Sequence, residues 1–79
     1  MQQDVLESDL HLIECSRSLF VERHVALQAS QSVGTASPAE IERQAVRTLA
    51  ALNAMRMALD TYEGDILLPL LHRQREQGV

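Results

Sequence analysis

The chain is predicted to be all-α, an antiparallel two-helix hairpin with a short C-terminal extension that can itself be helical. Three observations predict this. The stretch Ser37-Pro38-Ala39-Glu40 has the grammar of a helix start. Apolar residues recur at steps of three and four on both sides of it, the period of a helix with one apolar face. A run of small and polar residues separates the two halves and is too short for anything but a turn between antiparallel neighbours.

Helix 1 is expected over about residues 5–30. Asp4 reads as its cap with Glu7 three residues on, an arrangement in which each satisfies an orphan N–H of the first turn. Leu6, Ile13, Phe20 and Leu27 recur at sevens, and Leu10 widens the stripe. Arg17 and His24 then fall where the alternating position of the repeat calls for an apolar residue, so the seam reads as imperfect. Residues 31–37 form the expected turn, in which Gly34 suits the left-handed conformation that ends a helix.

Helix 2 is expected over about residues 38–63. Ser37 offers a hydroxyl to the free N–H groups of the first turn. Pro38 falls at the first helical position, where a missing N–H is harmless. Glu40 completes a capping box by reaching back to the cap. Ile41, Ala45, Leu49, Leu52, Met55, Leu59 and Tyr62 make the apolar ladder that should face helix 1, continuing to Ile66. A second flank carries Val46, Ala50, Ala54 and Met57, where small alanines admit close approach and methionine fits uneven gaps. Met55 and Met57 point about 200° apart on a helix, so one of them faces away from the seam, toward solvent or a partner, and the nearby Val46 and Ala50 favour the partner. In the tail, residues 64–79, Gly64 is expected to stop or kink the helix and Asp65 to cap a short segment. Pro69 disfavours helix at Leu68. Leu67 and Leu70 lie in an apolar run there that suits either folding back onto the end of the hairpin or docking to a partner.

Composition narrows the function. The chain has 79 residues, a formal charge of −4, eleven acidic residues, seven basic residues and no lysine. An acidic chain without a basic block is a poor nucleic-acid binder. No apolar run reaches the roughly 20 residues that cross a bilayer, nothing resembles a secretory signal, and a cytoplasmic location is expected. Cys15 is the only cysteine, so no internal disulfide supports so small a domain. His11 and Cys15 stand four apart, a metal-ligand spacing, but two ligands without a third do not make a site. Arg43 and Arg47 with Glu40 could suggest an anion site in a compact helical enzyme, yet two helices supply too few walls for a pocket. No catalytic residue, cofactor or metal is expected, and the protein is not expected to be an enzyme. Partner-binding residues are expected at Val46, Ala50, Ala54, Met57, Leu67 and Leu70.

The run Gly34-Thr35-Ala36-Ser37-Pro38-Ala39-Glu40-Ile41-Glu42-Arg43-Gln44, followed by Leu49, Leu52, Ala54, Met55, Ala58 and Leu59, resembles the small co-chaperones of type III secretion needle proteins. The resemblance covers roughly residues 6–64; Ile41 departs from an aromatic often found shortly after the turn. It implies a hairpin that binds a larger tetratricopeptide-type chaperone and so helps, indirectly, to keep a needle subunit unpolymerised in the cytoplasm. Two alternatives stand beside it. One is a needle-like secreted helical-hairpin component, against which the polar C-terminus speaks. The other is a homodimer whose hairpins form a four-helix bundle and act as an adaptor or regulator.

Overall fold

A computed structural model describes residues 2–78, with side-chain burial for 3–78; Met1 and Val79 of the expected domain lie outside that range. Helix α1 spans Gln2–Val33 and α2 spans Pro38–Tyr62. A wide π turn, Glu63–Leu67, leads directly into α3, Leu68–Gln77. The fold is therefore the expected all-α hairpin with a helical extension. The molecule is a rod of 62 × 22 × 15 Å with a radius of gyration of 18.2 Å, against about 12 Å for a compact chain of this length.

The turn forms for the reasons legible in its residues. Gly34 takes φ +72°, the left-handed conformation that closes α1 and that a side chain would strain. Ser37 is extended at φ −70°, ψ 157°, and its Oγ accepts from the Glu40 N–H at 3.2 Å. Its carbonyl accepts the first intrahelical bond from the Ile41 N–H at 3.1 Å. The capping box is only half made, because the Glu40 carboxylate turns forward to Arg43 and Gln44. A guanidinium one turn along is the stronger partner for a carboxylate than the cap N–H.

Three expectations about helix ends are corrected. Helix α1 starts earlier and ends later than 5–30, so Asp4 lies inside its first turn and does not cap it. Gly64 does not end the helical course of the chain but lies in the wide turn that interrupts the α-helical ladder after Tyr62. Asp65 caps nothing, since the start of α3 has no side-chain cap. The physical reason is Pro69. A proline in a helix clashes with the carbonyl four residues back, here that of Asp65. The wide turn opens the ladder at that point, with the Leu68 N–H reaching five residues back to the Glu63 carbonyl. Leu68 stays helical at φ −64°, ψ −45° despite preceding a proline.

The seam between α1 and α2 follows strict alternating steps of three and four. On α1 the buried or half-buried residues are Leu6, Asp9, Ile13, Ser16, Phe20, Arg23, Leu27 and Ser30. On α2 they are Ile41, Gln44, Thr48, Ala51, Met55, Ala58 and Tyr62, with Leu52 half-buried beside them. The Thr48 hydroxyl lies 3.4 Å from the Arg23 carbonyl across the seam, and donates at 2.8 Å to the Gln44 carbonyl of its own helix. That register brings Ala51 level with Phe20, Ala58 with Ile13, and Ser16 with Met55: large against small at these three levels, as interdigitating helices require.

The expected seam is half-buried at Leu6, Ile13, Phe20, Leu27, Ile41, Leu52, Met55 and Tyr62. It is corrected at Leu10, Ala45, Leu49 and Leu59, which are exposed; Leu10, Leu49 and Leu59 are 49%, 54% and 47% accessible. Following the largest apolar residues displaces the register by one. The helices pair instead where small residues allow their backbones to approach, and the leucines are left on the flanks. Arg17 and His24 are accordingly flank residues, not defects of the seam.

Candidate partner-binding faces

Two helices cannot enclose a core, and this hairpin illustrates it. Among the described residues the buried apolar ones are Ala51 and Ala58, at 4% and 1% accessibility, and no large side chain is fully buried. Among the described residues fifteen large apolar side chains are exposed by 40% or more. The accessible surface is 6132 Å², against about 4,800 Å² for a compact folded chain of this mass.

The exposed residues sort by helix geometry onto two flanks. Along one, α1 contributes Val5, Leu12, Leu19 and Val33, and α2 contributes Ala50 and Ala54. Along the other, α1 contributes Leu10 and α2 contributes Ala45, Leu49 and Leu59. The first flank holds a shallow groove at mid-length, lined by Leu19, Arg23, Arg47, Ala50, Ala51 and Ala54. Alanines make its floor, and one arginine from each helix makes its walls.

The residues expected to meet a partner are separated by the structure. Ala50 and Ala54 line the mid-length groove. Val46, 60% accessible, lies behind Arg47 with Ala39, Glu42 and Arg43. Met57 is 70% accessible, and Met55 sits in the seam, as their opposed directions require. Leu70 lies in a second groove at the far end with Gln3, Leu6, Asp65, Ile66 and Arg73. Leu67, in the π turn, is 41% accessible. Sequence reasoning missed Leu19, Arg23 and Ala51 in the mid-length groove. The signal for them was the three-four count itself, which puts Arg23 and Ala51 in the seam.

The electrostatics are uneven. Arg17 binds Glu14 at 2.6 Å, and Arg43 binds Glu40. Arg56 donates to the Asn53 amide oxygen at 3.3 Å. The Arg17 guanidinium holds the Glu14 carboxyl below its usual value, and Glu14 raises Arg17 in return. Arg23 and Arg47 have no carboxylate among the described residues.

At the far end Asp9 is buried, with Oδ2 lacking a hydrogen-bond partner. Loss of water and then a hydrogen bond and charge from Asp65 raise its pKa above the ordinary 3.8. The π turn explains the company it keeps. An unbroken repeat would place Asp65 in the seam opposite Leu6; the extra residue in the turn delivers half-buried Ile66 there and leaves Asp65 at the edge, still beside Asp9.

The His11 ring nitrogen lies 3.5 Å from Cys15 Sγ, and Phe20 and His24 stack with centroids 6.2 Å apart. Among the described residues no three histidine, cysteine or acidic side chains gather as metal ligands, and no helix is long and apolar enough to cross a membrane. No known protein family matches the chain, and neither do curated proteins or solved structures.

Proposed function

We propose that this chain is a small cytoplasmic co-chaperone of type III secretion, a hairpin that stabilises a larger tetratricopeptide-type chaperone and so helps hold a needle subunit unpolymerised. The observation that carries the reading is the imbalance between seam and surface. A core of two alanines faces fifteen exposed large apolar side chains among the described residues, and apolar exposure on that scale is what a partner covers. A superhelix of tetratricopeptide-type helix pairs offers the complementary surface, helices presenting a concave apolar face. The chain acts through surface and not through chemistry: its charged groups are dispersed, and its grooves are open.

The test is co-expression with such a chaperone and its needle subunit, followed by light scattering on the purified material. The expected result is a stoichiometric complex containing this chain, and a chaperone that precipitates when the chain is omitted. A chaperone that is equally stable and soluble alone overturns the reading. A chain that runs as a stable dimer at every dilution and ignores the chaperone points to the four-helix-bundle adaptor instead.

A further inference from the structure

The mid-length groove joins two features that an isolated hairpin has no reason to combine. It is lined by Ala50, Ala51 and Ala54, side chains small enough to admit the close approach of another helix, together with Leu19. Its walls carry Arg23 and Arg47, from opposite helices. Arg23 is half-buried at a seam position. Neither has a carboxylate, although Glu14 and Glu40 neutralise Arg17 and Arg43 elsewhere on the same helices. Two arginines lining one apolar trough, neither paired to a carboxylate, give it a basic character that an acidic side chain complements.

We propose that this groove seats an amphipathic helix of a partner chain. That helix is small and apolar where it meets Ala50 and Ala54, and carries a carboxylate that sits between Arg23 and Arg47. Arginine suits the task, since its planar fork pairs carboxylates in two-point fashion. The accessible surface of 6132 Å² exceeds that of a compact chain by about 1,300 Å², within what one partner contributes to an obligate interface.

A second copy of this chain is the poorer occupant. The groove lies near the middle of the hairpin, so a two-fold axis through it would bring both arginines of each copy together. Charge complementarity therefore selects a different, acidic-edged helix. The inference rests on the partner-binding reading above and specifies which face is used and what chemistry it takes.

The test uses the full chain and has two parts. In the first, thermal unfolding of the chain alone is followed by circular dichroism for wild type, Arg47→Glu and Arg56→Glu. Arg47→Glu is expected to raise Tm by several degrees, because it replaces a repulsion across the groove with an attraction. Arg56→Glu makes the same change in net charge away from the groove and is expected to give no such gain. Equal behaviour of the two variants overturns the inference.

In the second part, anisotropy measures binding of a fluorescent synthetic helix with an alanine–leucine stripe edged by glutamates, beside its glutamine counterpart. The glutamate peptide is expected to bind at least about tenfold more tightly, equivalent to 1.4 kcal/mol, and Arg47→Glu is expected to abolish the difference. Equal affinities, or no binding, overturn the inference. So does inorganic phosphate if it raises the wild-type Tm as much as the peptide does, since the groove is then a free-anion site. Should both parts succeed while no chaperone complex forms, the groove chemistry stands and only the co-chaperone reading falls.

Discussion

Asp9 is a buried carboxyl with an unpartnered oxygen in a chain with little stability to spare. Its neighbours at that end of the hairpin include Tyr62 on α2, level with it across the seam, and Asp65 in the π turn. Arg73 of α3 lies in the adjoining groove but not as an ion-pair partner. Burial and Asp65 both favour the protonated form, so the folded chain binds a proton that the unfolded chain releases. The sign follows from linkage: the contribution to stability is complete below the ordinary value of 3.8, and is lost as pH rises through the raised folded value. On mild acidification the wild type is therefore expected to gain stability, and Asp9→Asn to raise Tm at pH 7 and flatten that gain. Melting curves between pH 4 and 8 check this; a variant less stable than wild type at pH 7 would show that the ionised carboxylate is wanted. The Glu14–Arg17 pair works in the opposite sense. Its contribution is present above 4.5 and fades as pH falls, but the pair is exposed and such pairs contribute little.

Among the elements, the two connections behave oppositely toward glycine. Gly34 holds a left-handed φ of +72°, and a Cβ there is strained even though the space around it is open. Gly64 is helical, and a Cβ built on it also meets nothing within 4 Å. Gly64→Ala is thus expected to stabilise the chain by about 0.5–1 kcal/mol through helix propensity, and Gly34→Ala to destabilise it by a similar amount. Urea titrations of both variants distinguish the two signs. Helix α3 continues the rod beyond the paired part of the hairpin, its Leu70 and Arg73 lining a groove with Gln3 and Leu6 of α1. Removal of residues 69–79 is expected to lower the helical signal by its share and leave the melting temperature of the hairpin within a few degrees. A cooperative loss of all helicity would place α3 in the folding unit. The π turn marks where two demands meet. Pro69 needs the carbonyl behind it moved aside, and the seam needs Ile66 rather than Asp65 turned inward.

For the molecule as a whole, the governing fact is that helices this long are held by a seam this narrow. Such a rod has high local helix propensity and few contacts distant in sequence, so it folds fast and melts easily. Its tightest apolar point among the described residues is Ala58, 1% accessible and level with Ile13. Ala58→Arg is expected to unpair the helices, since the seam has neither room nor a counter-charge for a guanidinium. Loss of most of the ellipticity at 20 °C, with recovery in trifluoroethanol, is the expected observation; an unchanged melting curve would remove Ala58 from the seam. A partner that covers either flank adds stability by mass action to the free chain, which is how a hairpin so open can be functional.

The sequence by itself determined the elements. Ser37 and Pro38 start α2, Gly34 ends α1, and the step of three and four makes both segments helical, because caps, turn glycines and periodicity act through neighbours in the chain. It also determined that apolar surface would remain uncovered, since two helices carry more of it than one seam can bury. What only the tertiary structure decided is which residues meet. Leu10, Leu49 and Leu59 are more apolar than Ser16, Thr48 or Ala51, and nothing local excludes them from the seam. They are displaced because close approach of two backbones rewards small residues opposite large ones, a property of pairs and not of positions. The same pairing places Asp9 beside Asp65 and brings Arg23 and Arg47 to one groove, across separations in the chain that no local pattern spans.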